Sequence, residues 1–110
     1  MKPFTANVIE IIKQIPEGKV MTYGQVAKVA GSPRGARQVV RILHSMSKKY
    51  DLPWHRIVNS KGQIALKSDE GVWTQKSLLE DEGIHVTENG RINLENDQYQ
   101  PDFILEEESS

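Results

Sequence analysis

The sequence predicts a mostly α-helical domain with small β elements, organised around a helix-turn-helix. Three observations carry this expectation. Apolar residues recur at helical spacing through the first half of the chain, Gly and Pro divide that half into three helices, and short apolar runs bounded by turn residues occupy the second half. At 110 residues, 37% of them apolar, the chain suits one small folded domain with a single core.

Thr5 is placed to cap a first helix, whose apolar face is Val8, Ile9, Ile11, Ile12 and Ile15 and which Pro16 and Gly18 stop. After a short extended entry, Lys19-Val20-Met21, Thr22 can cap a second helix that buries Val26, Ala27, Val29 and Ala30. Gly31 ends it. Ser32 is expected to cap a third helix with Pro33 at its first position and a buried stripe of Ala36, Val39, Val40 and Leu43. Two short helices about a Gly-containing turn read as a helix-turn-helix. Further on, Arg56-Ile57-Val58 and Gln63–Leu66 are expected to pair as strands across Ser60-Lys61-Gly62. Ser68–Glu82 reads as a fourth helix, with Trp73, Leu78 and Leu79 inward and Gly83 as its stop. Asn89-Gly90 signals a type I′ hairpin between 84–86 and 91–94. The domain is expected to span 1–94, followed by an acidic, flexible tail, 95–110, that includes Tyr99, Pro101 and Phe103 and either packs loosely or stays mobile.

A net charge of −1 conceals a segregated distribution. Residues 19–61 contain nine Lys and Arg against a single acid, Asp51, whereas from Glu95 onward there are six acids and no base. Such a basic region favours a polyanion, although a solvated surface accounts for the charge equally well. The exposed side of the third helix sharpens the choice, presenting Arg34, Gly35, Arg37, Gln38, Arg41 and Ser45. Arginines beside small residues suit a helix that approaches DNA closely, the alternative being a helical hairpin with a solvated basic face. The absence of Cys excludes disulfides, thiolate metal sites and a cysteine nucleophile. No apolar run approaches the roughly 18 residues of a membrane span, and the N-terminus lacks the apolar core of a secretory signal. A cytoplasmic or nucleoid location is therefore expected, or a nuclear one in a eukaryote.

Pro53-Trp54-His55-Arg56 sets a large aromatic, an imidazole and a guanidinium on a bend entering a strand. Trp54 could wall a pocket for a planar ligand, or it could be a core residue beside a structurally satisfied His55. A resemblance separates these readings. From Gly18 to Gly83, about 60% of the chain, the order and spacing of Gly18-Lys19-Val20, Thr22-Tyr23-Gly24, Ala30-Gly31-Ser32-Pro33, Ala36-Arg37, Pro53–Val58, Ser60-Lys61-Gly62, Leu78-Leu79 and Glu82-Gly83 resemble the C-terminal domain of the O6-alkylguanine-DNA alkyltransferases. One departure stands out, because Trp54 occupies the place of that family's reactive cysteine. In this the chain resembles the alkyltransferase-like proteins, which bind the damaged base without repairing it.

The resemblance implies a winged helix-turn-helix-like DNA-binding domain that docks in the minor groove and flips the lesion out of the stack. Tyr23 matches the tyrosine that rotates the nucleotide, with a helix-start core aromatic as the alternative. Arg37 matches the finger that fills the vacated space, with a plain phosphate contact as the alternative. Arg34, Gly35, Ala36, Gln38 and Arg41 complete the DNA face. Trp54, Pro53, His55, Tyr23 and Glu82 form the lesion pocket, and Arg56 braces its loop. The implied partners are double-stranded DNA containing O6-alkylguanine and nucleotide excision repair proteins. The protein is expected to act as a monomer, with no cofactor, no metal and no catalytic residue. Two other classes remain. A sequence-specific helix-turn-helix regulator would prefer one undamaged sequence. An enzyme acting on the alkyl group by another route would need a nucleophile or metal site, yet neither Ser60 nor Lys61 stands at the reactive position, and the only His residues are His44, His55 and His85.

Overall fold

Pro3 occupies the first helical position of helix α1 (Pro3–Gln14), where its missing N–H leaves no bond unmade. This computed structural model describes residues 2–102. The helix begins one turn earlier than a Thr5 cap would place it, with Lys2 as N-cap, because Phe4 extends the buried line Phe4, Val8, Ile12 toward the N-terminus. Strand β1 (Met21–Thr22) leads directly into helix α2 (Tyr23–Val29). Thr22 caps that helix reciprocally, its hydroxyl accepting from the Gln25 N–H at 3.0 Å while the Gln25 carboxamide oxygen accepts from the Thr22 N–H at 3.2 Å. Gly31, at φ 101°, ends α2 in a left-handed cap in which Ser32 N–H donates to the Ala27 carbonyl at 2.9 Å.

Helix α3 (Ala36–Tyr50) starts later than expected. Ser32 does not cap it; the Gly35 N–H donates to the Ser32 carbonyl at 2.9 Å, so Pro33 and Arg34 form the middle of a turn. Gly35 is buried rather than exposed, and a Cβ there would lie 2.8 Å from Phe4 Cζ. The buried residues of α3 are Val39, Ile42 and Leu43, while Val40 is exposed. The stripe is thus rotated so that Ile42, with half-buried Met46 a turn later, meets the core in place of Val40.

A 3-10 turn (Trp54–Arg56) delivers the chain to strand β2 (Ile57–Val58). β2 pairs parallel with β1, Met21 opposite Ile57 and Thr22 opposite Val58, and not with Gln63–Leu66. The other edge of this turn and strand is taken: the side-chain amide of Gln75 donates to the carbonyls of both His55 and Ile57, each at 2.9 Å. Gln63 instead makes one antiparallel bridge with Arg91.

Gln75 lies on helix α4 (Asp69–Asp81), capped by the Ser68 hydroxyl. Its buried line is Gln75 and Leu79, which turns Trp73 out to 69% exposure, contrary to the inward position expected for it, and leaves Leu78 half-buried. Beyond Gly83 a single bridge joins Val86 and Ile92. Its turn, closed by Gly90 N–H to Thr87 carbonyl at 2.9 Å, holds only Gly90 at positive φ, so it is not type I′, which needs positive φ at both central residues. The stretch expected to begin a tail forms helix α5 (Leu94–Asp97). It then runs beside Val20, whose N–H donates to Asp97 and whose carbonyl accepts from Tyr99 N–H at 2.7 Å. Phe103 and the rest of that segment lie outside the described residues.

Two apolar clusters result. One holds α1, α2 and α3 together; the other gathers Val20, Val58, Ile64, Leu79, Ile84, Val86 and Ile92. The short sheet joins them, because Met21 and Ile57 face the first cluster while their neighbours Val20 and Val58 face the second.

Candidate nucleic-acid interface and base pocket

The α2–turn–α3 unit presents Arg34, Arg37, Gln38, Arg41 and Ser45 to solvent on the turn and one side of α3. None of the three arginines forms an ion pair among the described residues, so their guanidinium groups are available to an external anion. Ala36 is half-buried at the start of the helix. Gly35 does not reach this surface, and its role is to let α3 begin against Phe4. Tyr23, the first residue of α2, packs half-buried on the helical cluster, and burial pushes its phenol above the ordinary value.

A second group of residues centres on Glu82, at the C-terminus of α4. Its carboxylate accepts from the Gly18 N–H at 2.9 Å, from Arg56 Nη2 at 2.7 Å and from Arg56 Nε at 3.0 and 3.1 Å. His55 Nε2 lies 2.6 Å from Oε2, the oxygen that also accepts from Arg56 Nη2. The Glu82 side chain is 8% exposed. Burial works to raise its pKa, but the Arg56, Gly18 and His55 bonds outweigh that and hold it at about 2. The carboxylate is therefore an acceptor, which makes His55 Nε2 the donor in their contact. Arg56 also donates through Nη1 to the Ile15 carbonyl at 2.9 Å. One guanidinium thus ties the end of α1 and the end of α4 to the Trp54–Arg56 turn.

Trp54 is half-buried against the helical cluster, edge-on to the His55 ring at 6.2 Å between centroids. Pro53, directly before the turn, is also half-buried. The structure accordingly brings His55 and Glu82 into contact, sets Trp54 beside them, and packs Tyr23 and Trp54 on the same apolar cluster. One surface cavity, of about 460 Å³, lies between the start of α1 and Gln38, Arg41 and Ile42 of α3; another, of about 510 Å³, lies among Gln63, Thr87, Asn89 and Arg91. Neither is lined by Trp54. Among the described residues no group of three His, Asp or Glu is arranged to hold a metal, and the whole chain contains no Cys.

Sequence reasoning missed two members of this site, the Gly18 N–H and Gln75. Gln75 left one trace: it is a polar residue four before Leu79, on the buried side of an otherwise amphipathic helix.

A helix-turn-helix joined through a short parallel sheet to an Arg–Glu–His centre defines a class of DNA-binding domain. Residues 3–84 match the family described as 6-O-methylguanine DNA methyltransferase, DNA binding domain. The chain belongs to the alkyltransferase-like members of that family. It is 45% identical to a DNA base-flipping protein of Vibrio parahaemolyticus, over 92% of this chain and the whole of that one. It is 34% identical to alkyltransferase-like protein 1 of Schizosaccharomyces pombe, over 92% of this chain and 98% of that one. The structure matches that of the S. pombe protein in complex with damaged DNA containing O6-carboxymethylguanine, with a TM-score of 0.78, 36% identity and coverage of 89% of this chain and 95% of the other. A variant of the Mycobacterium tuberculosis O6-methylguanine methyltransferase, at 23% identity and a TM-score of 0.59, shares the fold.

Proposed function

We propose that this protein is a non-enzymatic sensor of alkylation damage, which binds O6-alkylguanine in duplex DNA, flips it and holds it without removing the alkyl group. The carrying observation is Trp54 beside an intact Glu82–His55 contact in a chain without Cys. His55 and Glu82 have no thiol to activate, and they order the pocket instead.

O6 of guanine is inaccessible in the stack, so a reader of its substituent must extrude the base, which is cheapest for a damaged, weakly paired nucleotide. In this reading α3 enters the minor groove. Arg37 inserts where the base has left, Tyr23 crowds the adjacent phosphate, and Arg34, Ala36, Gln38 and Arg41 hold the backbone. Trp54, with Pro53 and His55, walls the pocket, while Glu82 acts through His55 and Arg56. Minor-groove readout discriminates little between sequences, which suits a scanner. The relative bound to O6-carboxymethylguanine DNA and the base-flipping name of another support this reading. The protein would act as a monomer, shield the lesion from alkyltransferases and pass it to nucleotide excision repair proteins.

The test is affinity for paired duplexes with and without O6-methylguanine, repeated with larger O6 adducts. Tighter binding to the lesion duplex is expected. Equal affinity would sink the proposal, and a preference among undamaged sequences would favour a transcriptional regulator. Movement of a labelled methyl group from DNA to protein or solvent would show an enzyme.

A further inference from the structure

We infer that Gln75 is a positioning residue that sets how well the pocket distinguishes a lesion, by holding the Trp54–Arg56 turn from behind. The inference rests on the sensor reading above and goes past it, since Gln75 belongs to α4 and has no place in the DNA-contacting set.

The geometry is specific. Gln75 is 2% exposed, one of two polar residues buried in the described chain. Its one amide nitrogen donates to the carbonyls of His55 and Ile57, both at 2.9 Å. One nitrogen reaches both, so the two carbonyls face the same side of the backbone as it passes from the turn into β2. The opposite edge of β2 is paired with β1. Within the turn, the Trp54 carbonyl accepts from Ile57 N–H and the Pro53 carbonyl from Arg56 N–H. Gln75 therefore serves the carbonyls that local bonding leaves over, in the place a third strand would otherwise fill.

This bears on recognition because Trp54 and His55 are carried by that backbone. The Glu82 centre holds the turn through side chains, whereas Gln75 is the side chain that holds its main chain. A pocket with no covalent step discriminates only by fit, and fit depends on how well its walls are ordered beforehand. Without Gln75, the buried Ile57 carbonyl and the part-buried His55 carbonyl lose this donor and the turn shifts toward whatever donor it can find. Arg37 and Arg41 are exposed on the outer side of α3 and form no ion pair with the turn among the described residues, so they keep their positions.

The experiment uses the full chain in a Trp73→Phe background, which leaves Trp54 as the sole tryptophan. Gln75→Leu keeps the approximate volume and removes the donors; Gln75→Lys restores donors at the end of a flexible stem. Affinities are measured for matched duplexes with and without O6-methylguanine, and Trp54 is probed without DNA by acrylamide quenching and anisotropy. Gln75→Leu is expected to lower the lesion-to-undamaged affinity ratio about tenfold, with undamaged binding held within about twofold. It is also expected to make Trp54 more quenchable and more mobile, and Gln75→Lys should recover much of both. A folded Gln75→Leu protein that keeps the parent ratio overturns the inference, as does an equal loss on both duplexes. Should Gln75→Leu not fold, Gln75→Asn, whose amide is one methylene too short, is held to the same criteria. If the parent protein shows no lesion preference, the sensor reading fails by itself, and Trp54 quenching still decides whether Gln75 orders the turn.

Discussion

At the scale of single residues, Glu82 is where the chain concentrates its buried electrostatics. Two oxygens receive Arg56, His55 and the Gly18 backbone at the junction of the two apolar clusters. Its pKa falls from 4.5 to about 2, so the folded state binds this proton more weakly than the unfolded chain does. The resulting stabilisation is complete above about pH 4.5 and drains away as pH falls toward about 2. Urea midpoints should therefore drop through that window. Glu82→Gln should flatten the dependence and cost roughly 3 kcal/mol at neutral pH, because Arg56 is left without its counter-charge. An identical acid profile for the parent and Glu82→Gln would contradict this. Arg37 makes a different kind of prediction, since it is exposed and makes no side-chain hydrogen bond or ion pair among the described residues. Arg37→Ala should leave the melting temperature unchanged and weaken lesion binding by about tenfold or more, read by fluorescence anisotropy.

At the scale of elements, junctions matter more than interiors. The Thr22–Gln25 capping box starts α2 at the strand end, with Thr22 itself buried, so Thr22→Ala should cost about 1–2 kcal/mol. Gly62 sits at φ 79° with the Ile92 carbonyl 2.6 Å from where a Cβ would be, and backbone cannot give way as a side-chain tip does. Gly62→Ala should thus destabilise by on the order of 3 kcal/mol. Gly24 is the contrast: a Cβ there meets nothing within 4 Å. Gly24→Ala, inside α2, should be neutral or stabilise by up to about 1 kcal/mol. Thermal melts of the three variants rank these effects, and a Gly62→Ala protein as stable as Gly24→Ala would refute the assignment. Elements also show how legible the chain was. The Thr22 cap, the Gly31 and Gly83 stops and the existence of four helices follow from patterns spanning a few residues. The start of α3 did not, because Ser32-Pro33 serves a turn as readily as a helix cap, and Phe4, remote in sequence, decided between them by packing on Gly35.

At the scale of the whole molecule, charge and closure are the governing features. The exposed arginines of the α3 face imply salt-dependent DNA binding, and Arg41→Gln should reduce the slope of log affinity against log salt by about 0.9 if it meets a phosphate. An unchanged slope would remove Arg41 from the interface. Closure depends on residues beyond 94, which bond both the N–H and the carbonyl of Val20. A chain ending at Leu94 should melt several degrees below one ending at Asp102. By itself the sequence determined the existence of the first four helices, the basic helix-turn-helix face and the absence of a thiol. These follow from composition and from contacts between residues up to four apart. The tertiary structure alone decided that β2 pairs with β1, that Gln75 takes the other edge, that Trp73 faces water and that Arg56, His55 and Gly18 converge on Glu82. The pairings among these join partners between 18 and 64 residues apart, and such choices are settled by how the clusters pack together.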